Sequence, residues 1–261
     1  MKNYLQVNIS IVYVTLCIIL WSLIPTFAKF DQSTLDHHQC LFYSSIISFL
    51  TLFFISLFTK KIKEVFTYSN KTVLLLFGLG FLDFLYYLLL YYGYKEANAL
   101  EVLVIQYTWP IFIVLLSLII LKETLSKNKV LSLLFGFIGV LIIIVKGDFS
   151  QLNFSNLDVL LIVILGSISF ALFSVLSKKV KINLTNAVMV YFFSAILFSY
   201  LTMSIFSTFV IPTSKDWVSI LINGIFLNGI SYLFWIKALQ NSDASKIAPY
   251  IFITPILSAL F

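Results

Sequence analysis

Asp83 is the one acidic residue near the centre of a long apolar run; the other acids sit at run ends or in connections. Helical spacing puts Tyr87 and Tyr91 on its face, with Tyr86 and Tyr94 beside them. A carboxyl in such a stripe can recognise a cation or carry a proton, or it can join helices as a hydrogen-bonded group. The tyrosines at the outer end, Tyr91, Tyr92 and Tyr94, also suit an interfacial aromatic belt. Further along, Gln106, Trp109 and Pro110 fall at i, i+3 and i+4, with Tyr107 and Thr108 between them. Pro110 lacks an amide hydrogen and its ring displaces the Gln106 carbonyl, so the helix should bend there and leave that oxygen free. The same device recurs near the end of the chain, where Pro249 and Pro255 flank Tyr250 and Thr254. This is chemistry for gripping a solute and bending a helix, without a catalytic cluster. His37 and His38 are adjacent on a connection, Cys17 and Cys40 lie far apart, and no Gly-rich phosphate loop or metal-ligand spacing appears. No enzyme activity, cofactor or metal is expected.

These residues need elements that hold them inside a bilayer. The 261 residues are 61% hydrophobic and 11% charged, with mean hydropathy +1.03, which excludes a water-soluble domain. A bilayer core takes about 20 apolar residues per helix. Nine runs answer to that: Ile9 to Phe30, Cys40 to Thr59, Thr72 to Tyr94, Ala99 to Leu121, Val130 to Val145, Leu157 to Leu176, Ala187 to Phe206, Trp217 to Leu239 and Ser245 to Phe261. The net charge of +6 comes from lysines clustered in short connections, so it orients the chain in a membrane and does not point to nucleic acid. A cytoplasmic N-terminus puts 13 lysines inside and 4 outside, the bias that sets topology.

Shifting the chain by 145 residues aligns Asp83 with Asn228, Tyr87 with Tyr232, Ala99 with Ala244 and Pro110 with Pro255. One unit used twice, with an odd number of spans, must run in opposite directions. The expectation is an all-α polytopic membrane protein of two inverted five-helix repeats, residues 1–147 and 148–261. Nine helices are present, and the repeat places a tenth beyond Phe261. Asp83 and Asn228 would then recognise a polar or cationic group, Tyr87, Trp109 and Tyr232 would wall a cavity, and Pro110 and Pro255 would be hinges, with Pro249 beside them. Glu123 closes the fourth span, where it can accept from loop amides or pair with a lysine, as an anchor or as a gate.

The stretch from Ala97 to Gly147, with YTWP, a glutamate after a long apolar run and Gly136-x-x-Gly139, resembles the first repeat of EamA-type drug/metabolite transporters. Trp235 to Ser258 resembles the second, most of all in the aromatic amino acid exporter branch. The resemblance implies ten helices and a central cavity bounded by helices 1, 3, 4, 6, 8 and 9. It carries Tyr107, Trp109 and Pro110 over as cavity and hinge residues, and it fits Trp21 and Pro25 to the first helix. The function expected from the residues and the resemblance together is a bacterial inner-membrane secondary transporter exporting or exchanging amino acids or similar small metabolites by alternating access, with a monomer and an oligomer both left open. The cavity set expected is therefore Trp21, Asp83, Tyr87, Gln106, Tyr107, Trp109, Asn228, Tyr232 and Tyr250. The rival reading is an ion channel or a structural membrane protein, which aromatic walls and a single buried acid disfavour.

Overall fold

A computed structural model describes residues 2–24 and 35–260, with side chains from Ile9 onward; Pro25 and Lys29 lie outside the described residues. Every regular element among them is helical. The helices are α1 (Lys2–Ser22), α2 (His37–Phe58), α3 (Asn70–Glu96), α4 (Ala99–Ile120), α5 (Lys127–Val145), α6 (Leu157–Ser177), α7 (Leu184–Phe206), α8 (Ser214–Asn241) and α9, a chain of short turns over residues 244–258. From α2 to α8, seven are long and apolar enough to cross a membrane, and α1 adds a shorter apolar stretch, Ile9–Ser22. The protein is an all-helical, multi-pass membrane protein.

The helices start where side chains can satisfy orphan amides. The Asp36 carboxylate accepts from the amides of His38 and Gln39 while the Gln39 side chain accepts from the Asp36 amide, so α2 begins at His37. The two histidines thus open a helix and do not lie on a connection. Thr213 and Asp216 make the same reciprocal box at the start of α8. Ser69, Ser126 and Asn183 cap α3, α5 and α7.

Among the described residues three helices are broken. In α4 the regular ladder stops at Gln106 and resumes at Trp109, with Pro110 in the first turn of the new segment. The freed Gln106 carbonyl accepts the Ser167 hydroxyl at 3.3 Å, as polar backbone inside a membrane must find some partner. In α8, residues Asn223–Ile230 widen to π-turns, and the Leu227 carbonyl accepts the hydroxyl of Ser231 and the indole N–H of Trp21. In α9, Pro249 and Pro255 each sit in the first turn of a new short piece.

Helix pairing follows a rule of five. The contact of α1 with α8 has its counterpart in α3 with α6, that of α2 with α8 in α3 with α7, and that of α4 with α6 in α1 with α9. Hydroxyl-to-carbonyl bonds clamp these interfaces: Ser169 to Leu82 at 2.7 Å, Ser194 to Phe77 at 2.8 Å and Ser48 to Gly224 at 2.9 Å. Close approach needs small residues. A Cβ on Gly80 would stand 2.4 Å from the Tyr191 carbonyl and 2.7 Å from its Cα, so backbone has to move. Gly80→Ala is expected to push α3 from α7 and destabilise the protein by about 1–3 kcal/mol, read as a lower thermal midpoint in detergent. An unchanged midpoint would contradict the packing described.

Candidate functional site

Among the described residues, two chambers between the helices take in most of the side chains singled out from the sequence. The first, about 420 Å³, has Asp83 in its wall with Asn228 of the α8 π-turns, Ser44 and Ser45 of α2, and Tyr87 and Tyr91. His37 and Asp216, both at helix starts, line it too. The second, about 360 Å³, is aromatic and uncharged: Trp21, Tyr86, Tyr94, Gln106, Tyr107, Trp109 and Phe170 face it. The chambers share Ile24, Tyr87 and Tyr91.

Asp83 is 3% exposed, and its Oδ1 accepts the Tyr232 hydroxyl at 2.7 Å. The Tyr232 and Tyr87 hydroxyls lie 3.2 Å apart, so the acid, α8 and the shared wall form one polar chain in an aromatic surround. Tyr232 itself is fully buried among Trp21, Phe170, Phe173 and Phe192, behind the chamber wall. Gln106 links two tyrosines of the second chamber, accepting from Tyr94 and donating to Tyr86, each at 2.9 Å. Trp109 packs edge-on against Phe170 and Trp235.

Of the residues singled out from sequence, Asp83, Tyr87 and Asn228 meet in the first chamber, and Trp21, Tyr87, Gln106, Tyr107 and Trp109 in the second. Tyr250 does not join them. It lines a separate groove with Pro249, Lys129 and Lys246, because the narrow turns of residues 248–253 rotate it away from the chambers. Pro110 follows Trp109 at the α4 break, and Pro255 follows Thr254, which lines the second chamber. His37, Asp216 and Phe170 are lining residues that sequence reasoning missed; the spacing of Thr213 and Asp216, a capping box, is the local signal that could have marked the acid as held in place.

The chambers reach from mid-membrane to the end of the molecule where α2 and α8 begin. The opposite, lysine-rich end is shut by a network that joins four elements. Glu123, just past α4, accepts from the Ala244 amide (2.8 Å), the Ser245 amide (2.9 Å), the Ser245 hydroxyl (2.7 Å) and Lys178 at the end of α6 (2.8 Å). Lys178 also donates to the Ser242 carbonyl at 2.7 Å. Lys129 of α5 ties the Thr124 carbonyl, Asp243 and Ser245 together at 2.8–2.9 Å. The Glu123 side chain is only 6% exposed.

Burial alone would raise the Glu123 pKa; the Lys178 ammonium, the Ser245 amide and hydroxyl and the Ala244 amide outweigh it and hold the carboxyl down at about 2. A carboxyl depressed in the folded state stabilises the closed end fully above its ordinary pKa of about 4.3 and loses that contribution as pH falls toward 2. Accessibility of the lysine-rich end is therefore expected to stay constant from pH 8 to pH 5, measured by thiol labelling there. A rise between pH 7 and 5 would show that the carboxylate is not held as described.

The family model of the EamA-like transporters matches residues 8–145 and 158–261. An uncharacterized transporter of Bacillus subtilis, YyaM, is 26% identical over 213 residues, 79% of this chain and 69% of its own length. An uncharacterized transporter of Archaeoglobus fulgidus is 29% identical over 157 residues, 58% of this chain and 53% of that one. An S-adenosylmethionine uptake transporter of Rickettsia felis is 25% identical over 219 residues, covering 84% and 70%. The chain thus spans between half and seven-tenths of the length of these relatives. A solved crystal structure superposes with a TM-score of 0.85 over 96% of this chain and 86% of that one at 19% identity, which shows a shared fold. With both matched stretches together covering most of its length, the chain belongs to the EamA-like transporter family.

Proposed function

We propose that the protein carries amino acids or similarly small metabolites across a bacterial inner membrane by alternating access, in export or exchange. The observation that carries this reading is a cavity with a buried acid and aromatic walls that reaches one end of the helix bundle while a polar network seals the other. By lysine bias the end held by the Glu123 network is cytoplasmic, together with the N-terminus, and the first chamber runs toward the opposite side, where His37 and Asp216 line it. Residues 1–147 and 148–261 act as two inverted repeats, and the breaks beside Pro110 and Pro255 let α4 and α9 bend as the cavity changes sides. Trp21, Asp83, Tyr87, Gln106, Tyr107, Trp109 and Asn228 contact the solute, Tyr232 supports Asp83, and the solute is the one partner besides lipid.

The Rickettsia relative, named for S-adenosylmethionine uptake, supports a solute derived from an amino acid, and exchange accommodates movement in either direction. A sealed end and two aromatic-lined chambers weigh against an ion channel. The test is a flux screen in proteoliposomes with aromatic, neutral and sulfur-containing amino acids and nucleoside-like metabolites. Saturable flux of at least one of them, without ionic current, is expected; a steady ionic current with no saturable solute flux would overturn the proposal.

A further inference from the structure

Two chambers of different character meet at one wall, and that junction narrows the chemistry of the solute. This inference rests on the transport reading and specifies its substrate class. The first chamber holds the Asp83 carboxyl, and the Asp216 carboxyl, held by Thr213, lines it nearer the mouth. Among the described residues no lysine lines either chamber, and the acids Asp83 and Asp216 face the first one with His37 as the one basic side chain in its described wall. A carboxylate this deep is costly in isolation, and a bound cation offsets that cost where a bound anion adds to it.

The second chamber has no charged residue in its described wall. Tyr86 packs 4.9 Å from both Tyr87 and Phe170, and Trp109 lies 5.0 Å from Phe170, giving a wall of ring faces and edges suited to a flat π-system. Gln106 supplies the amide between the tyrosines. At the junction Tyr87 and Tyr91 stack at 6.3 Å and present aromatic surface to both chambers, a position from which ring faces attract a cation.

We infer that the substrate is an organic cation bearing a planar ring: the charged group lies in the first chamber against Asp83, the ring lies in the second beside Trp109, and the linker passes Tyr87 and Tyr91. A small amine without a ring leaves the aromatic chamber unfilled. A ring carrying a carboxylate brings like charge to Asp83.

Calorimetric titration of the full chain in detergent with three probes separates these cases. Tryptamine supplies ring and cation, ethylamine the cation alone, and indole-3-propionate the ring with an anion. Tryptamine is expected to bind at least tenfold more tightly than either of the others. Asp83→Asn is expected to weaken tryptamine at least tenfold and to leave indole-3-propionate unweakened, with the thermal midpoint of the variant checked alongside. Equal or tighter binding of ethylamine or indole-3-propionate to the unaltered protein would overturn the inference. So would saturable proteoliposome flux of a different solute with no tryptamine binding, an outcome that leaves the transport reading standing. Absence of any saturable solute flux would remove that reading and this inference with it.

Discussion

Glu123→Ala is expected to unseal the lysine-rich end. The substitution removes four hydrogen bonds at once and leaves Lys178, whose side chain is 19% exposed, with only the Ser242 carbonyl among the contacts described above. Removing one partner from a hydrogen-bonded, largely desolvated ion pair costs about 2–5 kcal/mol, and here the cost falls on the conformer in which α4, α6 and the α8–α9 turn meet. Because about 1.4 kcal/mol is a tenfold change in an equilibrium, even the low end shifts the balance between closed and open by more than tenfold. A single cysteine at Ser177, buried at the end of α6 beside Lys178, reports it once Cys17 and Cys40 are replaced by alanine. Its maleimide labelling rate is expected to rise at least tenfold with Glu123→Ala and less with Glu123→Gln, which keeps an oxygen for the Ser245 amide. Equal rates in all three proteins would show that the network anchors a helix end without holding a gate shut.

Asp83→Asn should remove transport while sparing the fold. The amide is nearly the same size as the carboxyl and keeps an oxygen to accept from Tyr232, so packing around the 2.7 Å bond persists. What is lost is the charge, and with it both cation recognition and any proton carried during the cycle. Losing one member of a desolvated charge pair costs about 2–5 kcal/mol, or at least a thirtyfold fall in kcat/KM. The comparison of flux with and without a pH gradient assigns the second role. If Asp83 carries the coupling proton, the asparagine variant loses stimulation by the gradient. Full pH-dependent flux in that variant would remove Asp83 from coupling.

The helices were legible because lipid imposes length: runs such as Ala99 to Leu121 and Leu157 to Leu176 end within about one residue of α4 and α6. Asp83 stood out because an acid in mid-span is rare, and the break at Gln106 and Trp109 followed from the missing amide of Pro110. The partners of these groups were not legible. Glu123 meets Lys178 and Ser245 across 55 and 122 residues of chain, and no local pattern encodes which of many lysines arrives. The π-turns of α8 change the register that a regular helix would give Asn228, and the narrow turns of α9 carry Tyr250 to another face; both depend on packing against distant helices. Asp216 drew no notice in the sequence: it is the third helical residue in the capping box that starts α8, and only the assembled bundle puts that box at a chamber wall.

A solute exchanged between two sides by one cavity must cross faster when solute waits on the far side, because the loaded protein reorients instead of returning empty. Counterflow in proteoliposomes measures this: vesicles preloaded with unlabelled substrate take up a trace of labelled substrate from outside. The prediction is transient accumulation above the equilibrium level, saturable in the external substrate and abolished by Asp83→Asn. Uptake that only approaches equilibrium, with the same rate in empty and preloaded vesicles, would contradict an alternating-access carrier.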